Sequence, residues 1–278
     1  MTADGKQAEK DYLSRAGTAR WERVKPFSTP GHHDVAEGAR LIHDFAMALL
    51  CAEPAPGARI LDLGAGSCWV SEWLARYNLR PVSVDIAADL LAIGRQRMGP
   101  QAWIVAGDLE RLPMAAASVD HAVCLNALHH VPDTVAALSE ARRVLRPGGR
   151  LVLSEPGRGH QAQSASQVAA GEWGVQERDL PPEVLLDACR RAGFPHVALR
   201  PLTAAVPWYE VEAERWQIWH RLAGTRRPRR ALGRIGRALL EGLGAGKRGP
   251  AFEDALGMEL TRIVAGATET HPFVVATS

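Results

Sequence analysis

Residues 59–69 read Arg-Ile-Leu-Asp-Leu-Gly-Ala-Gly-Ser-Cys-Trp, and this stretch decides the fold. The apolar run RILDLG is short and rich in Ile and Leu, as befits a strand buried on both faces. It passes through Gly64-Ala65-Gly66 into Trp69, Val70, Trp73, Leu74 and Tyr77, which recur at helical spacing. Gly64 and Gly66 let the backbone turn sharply and approach a ligand without a Cβ in the way. In open α/β sheets the ligand crevice lies at the carboxyl ends of the strands, beside such a turn. A pyrophosphate-binding version needs a third small residue, and Trp69 stands at that position, which argues against NAD or FAD.

The same alternation continues outward. Strand-like runs occur at 81–86 (PVSVDI), 102–107 (AWIVAG), 119–126 (VDHAVCLN) and 149–155 (GRLVLSE). Leu90, Leu91 and Ile93 mark one intervening helix; Val135, Leu138, Val144 and Leu145 mark another. Strands alternating with helices predict a parallel, doubly wound α/β sheet with right-handed crossovers. Beyond it, PPEVLLDACRRAGF (181–194) predicts a helix with Pro at its start and Gly193 at its end, and 196–202 and 271–278 predict two further strands. The long stretch between them cannot be a structureless loop in a compact domain, so 205–268 is expected to be a helical insertion.

Composition sets the outer limits. The chain has 278 residues, 46% hydrophobic and 23% charged, which is ordinary globular material with a sizeable core. Thirty-three Lys and Arg against 31 Asp and Glu leave a net charge of +2, which excludes a surface given over wholly to nucleic acid. Cys51, Cys68, Cys124 and Cys189 lie far apart with no C-x-x-C pair, so neither disulfides nor a metal site are expected. MTADGKQAEKDYLSR has no apolar leader core, and LIHDFAMALLCA carries His43 and Asp44 and is too short to span a bilayer; the expected location is the cytoplasm, with no membrane partner.

Residues 1–34 are polar and turn-rich, and 35–50 show helical spacing through Val35, Ala39, Ile42, Phe45 and Leu49 up to Pro54 and Pro56. The expected organisation is an arm and helix acting as a lid (1–50), a core (51–204), an insertion capping the substrate (205–268) and a last core strand (269–278).

Acidic residues follow the glycine turn at telling places. Asp85 ends the second strand, 19 residues after Gly66, where a carboxylate accepts from both hydroxyls of a ribose. Asp108 lies beyond the third strand, placed to accept from an adenine amino group, and Asn126 closes the fourth. With these motifs in order, 59–156 resembles the class I S-adenosylmethionine-dependent methyltransferases, and among them the methyltransferase type 11 group. The resemblance implies a Rossmann-like sheet of seven strands with the seventh antiparallel. It implies S-adenosylmethionine as cofactor, with Asp62, Gly64, Ala65 and Gly66 around its methionine part and Asp85 on the ribose. Ile86 would pack on adenine, and Asp108 with the Leu109 amide would read its edge. The family usually has a third glycine where this chain has Cys68.

A methyl group on a sulfonium is already activated, so such an enzyme must chiefly align a nucleophile and exclude water. A hydroxyl acceptor also gains from a base, and imidazole titrates near working pH. His129 and His130, just past the fourth strand, are the candidates, His129 ahead, with Glu155 at the end of the fifth strand as a weaker one. Each also has a structural explanation: the pair shapes the pocket, and Glu155 caps the following loop. For the acceptor, His33, Trp208, Tyr209 and Trp216 are named, the last three in an aromatic cluster whose plain reading is an apolar helix stripe.

The expected function is methyl transfer from S-adenosylmethionine to a small molecule, at oxygen in preference to nitrogen or carbon. The first rival is an RNA- or nucleotide-directed methyltransferase, because 205–250 holds ten basic and four acidic residues with Arg221, Arg226, Arg227, Arg229, Arg230, Arg234 and Arg237 among them. The second rival is a protein that binds the cofactor without catalysis. The acceptor and the oligomeric state do not follow from these residues.

Overall fold

Eight strands hydrogen-bond into one sheet in the order β3-β2-β1-β4-β5-β8-β6-β7. They are β1 (Arg59–Leu63), β2 (Arg80–Asp85), β3 (Trp103–Ala106), β4 (His121–Leu125), β5 (Arg150–Ser154), β6 (His196–Arg200), β7 (Val211–Glu212) and β8 (Phe273–Thr277). The structure is a computed structural model and describes residues 3–11, 19–27, 35–200, 211–212 and 273–278. β1 to β5 are mutually parallel, whereas β8 runs antiparallel to both its neighbours, β5 and β6. This is the expected mixed Rossmann-like sheet, with β8 as the reversed seventh strand.

Helices cover both faces, which is why the central strands read as continuous apolar runs. On one face Leu61, Leu63, Leu151 and Leu153 pack against Ala137, Leu138 and Ala141 of α6 (Thr134–Val144) and Leu185, Leu186 and Cys189 of α8 (Pro182–Arg191). On the other, Ile60, Val123, Val152 and Val275 meet Leu41, Phe45 and Ala48 of α3 (Val35–Ala52) and Trp69, Val70 and Leu74 of α4 (Trp69–Arg76). Residues alternate between the two clusters along β1, β4, β5 and β8 because the strand period is two. Helix α5 (Ala88–Met98) flanks β2 and β3, and α7 (Ser164–Glu172) follows β5.

Three differences from the expectation stand out. The turn-rich arm contains two short helices, α1 (Ala3–Lys10) and α2 (Ala19–Val24). Helix α3, grouped with the arm by its position, packs into the sheet layer through its apolar stripe and so belongs with the core. Within 205–268, Val211–Glu212 is extended and pairs with Ala198 and Leu199 of β6, not helical. An exposed strand edge offers unpaired N–H and C=O groups that an extended segment satisfies. The rest of the expected insertion, with its aromatic cluster and arginine run, lies outside the described residues. No helix among the described residues is long and apolar enough to cross a membrane.

Candidate functional site

The strand order reverses between β1 and β4, which opens a crevice above the carboxyl ends of the strands. A cavity of about 260 Å³ lies there, lined by the turn 64–67, Asp85, Ile86, Asn126, Ala127 and His130. A lobe of about 80 Å³ extends it to Asp108 and Leu109. Of the residues named from the sequence around a cofactor, Gly64, Ala65, Gly66, Asp85, Ile86, Asp108, Leu109 and Asn126 line the two spaces.

Asp62 does not line them. It is 3% exposed, and its carboxylate accepts from the Ser71 backbone N–H at 3.1 Å and the Ser71 hydroxyl at 2.7 Å, with Ser83 bonded to Ser71 behind it. Burial pushes its carboxyl up to about 7, against the lowering effect of both Ser71 bonds. Asp62 thus ties the first turn of α4 to β1 and holds the glycine turn from behind. Gly64 (φ +70°) sits against Ala127, where an added Cβ would collide. At Gly66 (φ +51°) an added Cβ would meet nothing nearer than Leu90 Cδ1 at 4.0 Å.

Asp85 clamps the turn from the other side. One carboxylate oxygen accepts the Gly66 N–H at 2.7 Å, the other the Ala87 N–H at 2.8 Å. Desolvation raises its pKa in spite of these amides. Each oxygen keeps a second lone pair for a ligand. Cys68 takes the left-handed conformation (φ 59°) that a glycine would adopt freely, and it is fully buried. Its sulfur fits only because Gly94 on α5 carries no side chain: a Cβ at Gly94 would overlap the thiol.

At the end of β4 the structure reverses the order of the two histidines. His129 is 4% exposed and donates Nδ1–H to Glu155 at 2.8 Å, away from the cavity, whereas His130 forms part of the cavity wall. The ring of His130 lies 3.8 Å from that of His129. Its Nδ1 donates to the Gln176 carbonyl at 2.7 Å, so in the neutral ring Nε2 is left as an acceptor. Burial, reinforced by the neighbouring His129, lowers its pKa to about 3. Glu155 is fully buried and accepts the backbone N–H groups of Ala127 at 3.0 Å, Leu128 at 2.9 Å and His129 at 3.3 Å. It is a positioning residue: it caps the turn that presents His130 and does not reach the cavity. Burial raises its carboxyl against those donors.

Sequence reasoning missed the residues that close the cavity. Glu9 from α1 and Trp21, Glu22 and Lys25 from α2 and its end line it, as do Arg40 from α3 and Glu177. Arg97 fixes α2 by donating to the carbonyls of Glu22, Arg23 and Lys25 at 3.0, 3.1 and 2.5 Å. Lys6 of α1 reaches Asp108 and Glu110, each at 2.5 Å. Arg40 and Asp44, four apart on α3, pair at 2.8 Å. Glu9, Glu22, Asp85 and Glu177 line the larger cavity together with Lys25 and Arg40, and burial raises the carboxyls of Glu9 and Asp85. His33, Trp208, Tyr209 and Trp216 lie outside the described residues.

Residues 61–153 match the model of a family described as "Methyltransferase domain". A demethylmenaquinone methyltransferase of Beutenbergia cavernae is 45% identical over 100 residues, 36% of this chain and 41% of that protein. A demethylmenaquinone methyltransferase of a Mycobacterium species is likewise 45% identical, over 42% of its length. The chain therefore matches less than half the length of these curated relatives. In fold it resembles the [4+2]-cyclase SpnF, with TM-score 0.59 at 16% identity over 100% of this chain and 97% of that one. It also resembles phosphoethanolamine N-methyltransferase 2 of Haemonchus contortus in complex with S-adenosyl-L-methionine, with TM-score 0.56 at 17% identity over 97% and 59%.

Proposed function

We propose, taking residues 61–153 as a class I S-adenosylmethionine-dependent methyltransferase domain, that the chain transfers the methyl group of S-adenosylmethionine to an oxygen of a small molecule. The observation that carries this reading is the cavity over the glycine turn 64–66, with Asp85 on its rim.

The residues present fit the cofactor. Gly66 faces space that a Cβ would occupy, which suits close approach of a ligand to the backbone. The amide nitrogen of Asn126 is buried beside the cavity without a hydrogen-bond partner among the described residues, a cost that a ligand carboxylate or hydroxyl would remove. Asp85 would accept from the ribose, Ile86 would pack on the adenine, and Asp108 with the Leu109 amide would read its edge. Gly64, Ala65, Gly66 and Asn126 would surround the methionine part, with Asp62 holding the turn. When bound, the cofactor supplies an activated methyl group on sulfur.

The chain's own residues supply alignment and a proton acceptor. Glu155 fixes the turn after β4, the tilted ring of His129 packs against His130, and His130 would offer Nε2 to the cavity. A ring with so low a proton affinity is neutral at pH 7 and orients an acceptor hydroxyl by accepting its hydrogen bond. It takes the proton late, once the oxygen has become positive and strongly acidic. Residues 1–34 would act as the lid and 205–268 as the substrate cap, with the core between them. The curated relatives are named for a quinone precursor, and this supports a small-molecule acceptor.

Calorimetry tests the reading. Wild-type chain binds S-adenosylmethionine with one-to-one stoichiometry, and Asp85→Ala weakens binding about tenfold or more through loss of a charge-assisted contact. Unchanged affinity in that variant would remove Asp85 from the ribose site.

A further inference from the structure

We propose that His129, His160 and Glu177 form a binding site for a divalent transition-metal ion, Zn²⁺ in the first place, beside the cavity that Glu177 lines. No ligand spacing in the sequence announces it: the three residues come from the turn after β4, the turn at His160–Ala162 and the segment before α8. In the fold their ligand atoms all lie within 4.8 Å of one another. His160 Nε2 is 2.6 Å and His129 Nε2 3.7 Å from the same oxygen of Glu177.

The chemistry of the set fits an ion of that class. Two imidazoles and a carboxylate suit Zn²⁺ and its neighbours, at about 2.0–2.2 Å from the metal, so ligand atoms in a tetrahedral site lie about 3.4 Å apart. The His129 edge is near that spacing, and the His160 edge must open by less than about 1 Å. Three protein ligands leave the fourth position to water or to an acceptor oxygen.

His129 has the outer-shell partner that metal sites favour, and the segments carrying the other two ligands are each pinned separately. His129 gives its Nδ1–H to Glu155, which turns the Nε2 lone pair outward in the carboxylate–histidine–metal manner. The turn carrying His160 is pinned by Asp179, which accepts the N–H groups of Gly159 and Gln161, each at 2.9 Å. The segment carrying Glu177 is fastened by Arg178, whose guanidinium donates to the Val131 carbonyl and, at 2.9 Å, to the Thr134 hydroxyl. An ion there would take the place of the hydrogen bond between His160 Nε2 and Glu177, with the neutral His160 ring carrying its one proton on Nδ1 and presenting the Nε2 lone pair.

The test uses the full chain without a histidine tag, stripped with chelator and titrated with Zn²⁺ against a chromophoric competitor, then with Co²⁺ for its visible spectrum. One equivalent of Zn²⁺ should bind, with Co²⁺ bands of a four-coordinate site. His160→Ala and Glu177→Gln should each lose at least tenfold in affinity and lose the bands. His196→Ala, an exposed histidine on β6, should lose neither. Circular dichroism of each variant shows that it folds; His160 sits in a surface turn, so its variant keeps the experiment valid if Glu177→Gln does not fold. Absence of binding by the parent chain, or equal binding by the folded variants, overturns the site.

Discussion

The ammonium of Lys6 stands 2.5 Å from the carboxylate of Asp108, the residue assigned to the adenine edge, and 2.5 Å from that of Glu110. A helix of the arm thus holds the acidic end of the smaller lobe. These side chains are 19–34% exposed, so the pairs contribute only about 0–1 kcal/mol to stability. Lys6→Met should leave the unfolding midpoint nearly unchanged while tightening S-adenosylmethionine binding a few-fold and flattening its salt dependence, because Asp108 loses a competitor. Calorimetry at two salt concentrations reads this. Weaker binding would mean that α1 stays in place over the bound nucleoside.

Glu9 on the same helix gives a pH response. Burial, with the charges of Asp85 and Glu177 and against a backbone hydrogen bond from Gln176, raises its carboxyl from 4.5 to about 8. The folded state binds the proton more tightly than the unfolded one, so this contribution is fully present below pH 4.5 and is lost as pH rises through about 8. Docking of α1 should weaken across that window by about 1–3 kcal/mol, allowing for partial exposure. Limited proteolysis of the arm should accelerate between about pH 5 and about pH 8.5 in the parent and stay level in Glu9→Gln.

The fit of Cys68 against Gly94 predicts a coupled pair. Gly94→Ala should destabilise by about 1–3 kcal/mol, since its methyl would overlap the thiol. Cys68→Gly alone should stay within about 1 kcal/mol of wild type, because relief of the left-handed backbone, worth about 1–2 kcal/mol, offsets lost burial. Combined with Gly94→Ala it should restore most of the loss. Urea unfolding of the four proteins completes the cycle.

Glu155→Gln replaces one of two acceptor oxygens by an amide nitrogen facing N–H donors. A loss of about 3–5 kcal/mol is expected in denaturant unfolding, as for a broken buried charge network. If it is as stable as wild type, Glu155 is not what organises the turn.

His130 sets the last expectation. With a pKa near 3 it stays neutral through the working range, so the methylation rate should show no acid limb near pH 6.5 attributable to it. His130→Gln should lower turnover and leave S-adenosylmethionine affinity within about two-fold. A limb that vanishes in the variant would show that the ring titrates normally.

Much of this was legible in RILDLGAGSCW and the runs after it. Buried parallel strands announce themselves as short apolar runs, and glycines at 64 and 66 mark the turn because only they relieve the backbone there. Asp85 was legible because it terminates a strand at a fixed distance from that turn. The order of His129 and His130 was not, since adjacent residues in a short turn point in different directions and only the capping by Glu155 decides which faces inward. Lys6, Glu9 and Glu177 were invisible because their roles arise from elements distant in sequence; polar residues in a polar arm give no periodic signal. Cys68 departs from the family's glycine, and the room its side chain needs comes from Gly94, a residue distant in sequence.

Strand β8 lies between β5 and β6 although some seventy residues of chain separate it from β6. Chain closure grows only logarithmically with length, about 0.6 kcal/mol per doubling. Whatever lies between those two strands can therefore be lengthened, shortened or exchanged with little penalty to the sheet, so descendants of this scaffold are free to acquire new specificities there while their cofactor end remains untouched.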